Sequence, residues 1–133
     1  MSPKLKITKA YLANYIQSVA VGQPTKEAVQ QDLDPFLSLE YTINRGGVEQ
    51  DYAENLAHIA RTRAVIADFK FEMYDFVCDE LAGTFASRNH SFVTGVDGEK
   101  VTLEVVLFGT FNREGKFTHI YERLVENGSK KKD

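Results

Sequence analysis

Apolar residues recur along this chain at helical spacing in its first half and at strand spacing in its second. Tyr11, Leu12, Tyr15, Ile16 and Val19 share one face of a helix that Thr8 can cap and Gly22 closes. Pro24-Thr25 opens a second, shorter helix through Leu33. Asp34-Pro35 ends it, because a residue before proline avoids the α region. The stretch "FLSLEYTIN" then alternates, with Leu37, Leu39, Tyr41 and Ile43 on one side and Phe36, Ser38, Glu40 and Thr42 on the other. This predicts a strand, which Gly46-Gly47 breaks. A third helix is expected over about 48–64, with Tyr52, Leu56, Ile59, Ala60 and Arg63 on its stripe. His58 falls off that stripe and is expected in solvent.

From Val65 onward the period is two. "IADFKFEMYDFV" sets Ala67, Phe69, Phe71, Met73, Asp75 and Val77 on one face. A turn at Asp79-Glu80, a hairpin signal at Asp97-Gly98 and a weaker one at Glu114-Gly115 divide the remainder into strands over 81–93, 101–111 and 117–125. The order is helix, helix, strand, helix, then four strands, which predicts an α+β domain with an antiparallel sheet. No internal repeat or linker interrupts residues 1–128, read as one domain, and "SKKKD" reads as a disordered basic tail over 129–133.

Turns set register, and register sets faces. With Asp97-Gly98 as the two central hairpin residues, Arg88 faces Leu107 and His90 faces Val105. With Glu114-Gly115 central, Leu107 faces Glu122 and Val105 faces Leu124. One face then carries Ala86, Arg88, His90, Phe92, Leu103, Val105, Leu107, Gly109, Ile120, Glu122 and Leu124, and its apolar bias makes it the expected inner face. Arg88, His90 and Glu122 become polar residues set in an apolar wall. The opposite face carries Val106, Phe108, Tyr121 and, on this register, Phe85. That half-apolar surface predicts a homodimer packed through the outer sheet face.

Composition narrows the function classes. Sixteen basic against nineteen acidic residues give a net charge of −3, which offers no electrostatic footprint for nucleic acid. The 43% hydrophobic content is ordinary for a globular domain, and no apolar run approaches the ~20 residues that span a bilayer. One cysteine, Cys78, forms no internal disulfide and sits in no metal-ligand spacing. With no signal-peptide core at the N-terminus, a cytoplasmic setting is expected. No Gly-rich phosphate loop, nucleophile elbow or zinc pattern occurs, so no metal or cofactor is implied.

The candidate chemistry is proton transfer. His90 suits a general acid or base, with Arg88 beside it to favour the neutral imidazole or to hold a substrate oxygen. Tyr15 can donate a hydrogen bond from the first helix, and Glu122 lies two strands from Arg88. The bland reading makes Arg88 and Glu122 an ion pair and His90 a satisfied core residue. Phe92, Leu107 and Ile120 would line a substrate pocket, or fill it.

The closing segment "GEKVTLEVVLFGTFNREGKFTHIYERLVE", with "YLANYIQSVAVGQ" near the start, resembles the nuclear transport factor 2-like superfamily, and within it the SnoaL-like polyketide cyclases and ketosteroid isomerases. The resemblance covers nearly the whole chain. It implies a cone, with three helices packed on a strongly bent, mainly antiparallel sheet and a pocket in its mouth, usually in a dimer. It implies an oxyanion-holding role for Tyr15. Leu107 stands where the isomerases place a second oxyanion donor, and Glu40 is nearest their catalytic base. The resemblance therefore implies a small-molecule-binding domain. Two readings stay open: a cofactor-independent isomerase, dehydratase or cyclase, and a non-catalytic dimeric binding or protein-interaction module.

Overall fold

The computed structural model describes residues 7–127; the tail at 129–133 lies outside them. Three helices, α1 (Lys9–Ala20), α2 (Lys26–Leu33) and α3 (Tyr52–Val65), pack on one face of a six-stranded sheet. The strands are β1 (Leu37–Arg45), β2 (Val48–Gln50), β3 (Ile66–Asp79), β4 (Thr84–Gly95), β5 (Lys100–Phe111) and β6 (Phe117–Asn127). Their order is β2-β1-β6-β5-β4-β3, and only the β1–β6 pair is parallel. The α+β class and mainly antiparallel sheet follow the sequence expectation. The short edge strand β2 does not, because Gly46-Gly47 makes a hairpin turn, with φ values of 63° and 97°, rather than a plain break.

The helix signals act as their chemistry dictates. Thr8 and Thr25 accept hydrogen bonds from the backbone N–H groups of Tyr11 and Ala28. Asp51 and Glu54 form a reciprocal capping box that starts α3 directly after β2, with Asp51 as the single residue between them. Arg63 is buried and gathers the turn after α1. Its guanidinium donates to the carbonyls of Ser18, Val19 and Gln23, and to the Asp32 carboxylate at 3.0 Å. A cation there suits the negative end of α1 and ties α2 to α3.

An aromatic cluster fills one end of the core. Phe117 stands 5.0 Å, centroid to centroid, from both Tyr15 and Phe85, and Tyr11 and Phe36 complete the group. The Tyr11 hydroxyl donates to the Gly115 carbonyl at 2.8 Å, which pins α1 to the β5–β6 turn.

The register of the β4–β5 hairpin corrects the sequence reading. Arg88 opposes Val106, His90 opposes Glu104 and Asn89 opposes Val105. The turn is Gly95-Val96-Asp97-Gly98, closed by the Gly98 N–H donating to the Gly95 carbonyl, with Gly98 at φ 87°. The loop therefore has three residues rather than two. Its glycine takes the left-handed position that follows a three-residue turn. One residue of slip exchanges the two faces of the strand. Phe85, Ser87, Asn89 and Ser91 are buried, whereas Arg88 and Phe92 are exposed.

The β5–β6 turn has the same three-residue form, with the Gly115 N–H donating to the Asn112 carbonyl. There a register shift between Thr110 and Phe111 restores the lost residue, so Leu107 does oppose Glu122 and Val105 does oppose Leu124. Further irregularities bend β1 and β3. The one at Tyr74 sends Asp75 and Val77 outward and turns Phe76 and Cys78 toward the core, against the simple alternation.

Candidate active site

One row of the sheet's inner face runs Ser87, Leu107, Glu122, Arg45 across β4, β5, β6 and β1, as successive register partners. Arg45 continues the inward alternation of Tyr41 and Ile43 one step past the predicted strand end. Its Nε donates to Glu122 Oε1 at 2.8 Å, with the two side chains 13% and 18% exposed. Its Nη1 donates to Gln50 Oε1 at 2.7 Å and to Asn55 Oδ1 at 3.2 Å. The expected Arg88–Glu122 pair is thus an Arg45–Glu122 pair.

Above this row the core is not filled. A cavity of about 170 Å³ lies between the inner sheet face and helices α1 and α3. Ile16, Val19, Phe69, Leu103, Val105 and Leu107 make most of its wall apolar. Its polar groups come from Tyr15 on α1, His58 and Thr62 on α3, Asn89 and Ser91 on β4, and the Arg45–Glu122 pair. The volume is near that of a buried apolar cavity that admits a single benzene-sized ring, about 150 Å³.

Tyr15, Tyr41 and His58 all sense the charges of Arg45 and Glu122, which places the titratable groups in one electrostatic neighbourhood. Burial pushes the Tyr15 phenol up to about 12, so it stays a protonated donor; its oxygen is 3.5 Å from that of Tyr41. Burial drives the Tyr41 phenol up as well. His58 moves the other way. Partial burial disfavours its charged form, and Arg45 adds to the effect, so its pKa falls below 6.5. The imidazole is neutral at pH 7.

The predicted site residues divide. Tyr15, Leu107 and Glu122 line the cavity. Ile120 is fully buried in the core below it. His90, Arg88 and Phe92 are on the opposite face of the sheet, because the hairpin loop holds one residue more than the Asp-Gly signal implied. There His90 Nδ1 pairs with the Tyr74 hydroxyl, and Arg88, 51% exposed, bridges Asp75 and Glu104. Glu40 is exposed beside Leu39, where irregular pairing takes β1 off the inner face. His58, expected in solvent, lines the cavity instead; the α3 stripe is wider than its strongly apolar positions. In place of Arg88 and His90, Asn89 and Ser91 face inward and line the cavity. Among the described residues no group of three His, Cys, Asp or Glu side chains is placed to hold a metal ion.

His119 sits on the outer face, with Nδ1 2.7 Å from Thr42 Oγ1 and its ring edge-on to Tyr121. Tyr121 stacks on Phe108 at 4.8 Å. Phe85, assigned to that patch, is buried in the aromatic cluster. Among the described residues no helix is long and apolar enough to cross a membrane.

No family model matches the sequence, and no curated protein matches it. Solved structures do. A nuclear transport factor 2-like protein of unknown function from an Exiguobacterium species is similar over 86% of this chain and 97% of its own, with 20% identity and a TM-score of 0.67. A SnoaL-like polyketide cyclase from Agrobacterium tumefaciens is similar over 91% and 92%, with 19% identity and a TM-score of 0.67. A hypothetical protein with a ketosteroid isomerase-like fold from Catenulispora acidiphila, in complex with trimethylamine, is similar over 92% and 89%, with 11% identity and a TM-score of 0.69.

Proposed function

The chain has the nuclear transport factor 2-like fold, and from that premise we propose that it binds a small, mostly apolar molecule in the cavity between α1, α3 and the inner sheet face, and moves a proton on it without a cofactor. The observation that carries this reading is an imidazole and a phenol lining one apolar cavity, where burial lowers the pKa of the first and raises that of the second. His58 is the base in this scheme: it accepts a proton from carbon beside a carbonyl. Tyr15 donates a hydrogen bond to the oxygen on which charge develops. Burial first, and Arg45 second, favour the neutral His58, and Arg45 also favours the developing negative charge. Isomerisation, dehydration and cyclisation all begin with such a step. The likeness to a SnoaL-like polyketide cyclase fits this chemistry.

The test is hydrogen–deuterium exchange at the α-carbon of small cyclic ketones in deuterated water, followed by NMR. The wild-type protein is expected to accelerate exchange. His58→Gln should lower the rate about 100-fold or more, and Tyr15→Phe by a comparable factor. Binding without exchange in any variant would leave only the binding half of the proposal, which the mutual satisfaction of Arg45 and Glu122 favours.

We also propose a homodimer through the outer sheet face, where the stacked Phe108 and Tyr121 remain 45% and 36% exposed. A concentration-independent monomer mass in sedimentation would remove it.

A further inference from the structure

The inner stripe of β4 is polar where its neighbours are not. Ser87, Asn89 and Ser91 are buried at successive inward positions. Across from them stand Leu107, Val105 and Leu103 on β5, and Phe76, Met73 and Phe71 on β3. Asn89 is 1% exposed and lines the cavity. Its Nδ2 donates weakly to Ser91 Oγ at 3.4 Å, and its Oδ1 has no partner. A buried amide oxygen without a partner costs about 1–3 kcal/mol. Leucine at this position would pack among Met73, Val105 and Leu103 without that cost, so the amide is not there for packing. Swapping the amide's oxygen and nitrogen leaves over a donor in place of an acceptor, and a ligand hydroxyl satisfies either.

The Arg45–Glu122 pair lies elsewhere on the same inner face, with Glu122 two strands and Arg45 three strands from β4, in the inward row next to that of Asn89. The apolar side chains of Val105 and Leu107 separate it from Asn89. The cavity thus has two polar poles on an apolar waist, in a space suited to one ring.

We infer that Asn89, seconded by Ser91, is a specificity-determining residue that accepts a hydrogen bond from a hydroxyl or N–H group at the far end of the ligand, so that the substrate class is a single-ring ketone bearing a distal donor. This rests on the cavity reading above and adds its second pole. A site built around a hydrogen-bonding group discriminates strongly against an analogue lacking it, because the protein's own polar atom is then stranded again.

Two probes of equal size separate the possibilities: 4-hydroxycyclohexanone and 4-methylcyclohexanone, titrated calorimetrically. The wild-type protein is expected to bind the hydroxy ketone at least tenfold more tightly. Asn89→Leu should invert that preference while leaving the unliganded protein as stable as wild type or more so. If the wild type binds both ketones equally, or prefers the methyl compound, the inference is overturned and the cavity reading stands. If it binds neither, both fall. If Asn89→Leu keeps the hydroxyl preference, Asn89 holds only a buried water, and the inference is again overturned. Should Asn89→Leu not fold, the wild-type ratio still decides, and Asn89→Val supplies the reversal.

Discussion

Arg45 and Glu122 are register partners in the parallel β1–β6 pair, and their side chains meet at 2.8 Å on the inner face of the sheet. Each is needed to make the other tolerable there. Arg45→Met leaves a half-buried carboxylate unpaired and should cost about 3 kcal/mol, toward the low end for buried pairs because some exposure remains. The double variant Arg45→Met/Glu122→Leu should cost less than the sum of the singles. Urea denaturation of the four proteins in the cycle measures it; strict additivity would mean that the pair carries no coupling.

His58 supplies a pH dependence of defined sign. Its folded pKa lies below the unfolded value of 6.5 because of burial and then Arg45. Between the folded and unfolded values, the unfolded chain holds a proton that the folded chain does not. Stability therefore falls as pH drops below 6.5 and levels off once pH is beneath the folded pKa. Subtracting the pH–stability curve of His58→Gln from that of wild type should isolate this slope. Proton-transfer activity should fall at lower pH, as the folded imidazole itself takes up its proton; a difference curve that is flat between pH 7 and 4 would contradict the lowered pKa.

Arg63 holds three carbonyls and one carboxylate with no exposed side-chain surface. Arg63→Met should lose about 1.5–3 kcal/mol, since the carbonyls after α1 lose a charged donor while Asp32, 44% exposed, turns to water. Arg63→Lys should recover only part of this, because an ammonium cannot spread over the same fork of acceptors. Chemical denaturation distinguishes the three; full rescue by lysine would reduce the role to charge alone.

Gly109 has no room for a side chain. A Cβ there would lie 2.1 Å from the His119 carbonyl oxygen, which is backbone of β6 and cannot swing away. Gly109→Ala is expected to cost about 3 kcal/mol or more, through displacement of the β5–β6 pair. A thermal midpoint within two or three degrees of wild type would show that the strands separate easily.

The outer cluster should behave as surface. Arg88 bridges two carboxylates while half exposed, and such pairs contribute about 0.2–1 kcal/mol. Arg88→Ala and His90→Gln are expected to change stability by no more than this and to leave ketone binding in the cavity within twofold of wild type. A tenfold loss of binding in either would reopen the assignment of faces.

Local chemistry made much of the architecture legible. Thr8, Thr25 and Pro35 marked the bounds of α1 and α2, and period-two stretches located five of the six strands. β2 escaped because three residues beside a glycine turn carry too little pattern to distinguish a strand from a helix start. Tyr15 and Leu107 were found from helix spacing and strand alternation. Arg45 was within reach, since it only extends the alternation of Tyr41 and Ile43.

What the chain determined by itself was the order of the three helices and of five strands, the caps of α1 and α2, and the alternation within each strand stretch that no bulge interrupts. What only the tertiary structure decided was which face of β4 points inward. A glycine after aspartate suits both a two-residue hairpin loop and the end of a three-residue one, and the two differ by one residue of register. In the β5–β6 pair a bulge absorbed that residue; in the β4–β5 pair nothing did. Side chains alternate with a period of two, so the slip exchanged Arg88 and His90 for Ser87, Asn89 and Ser91 in the wall of the cavity.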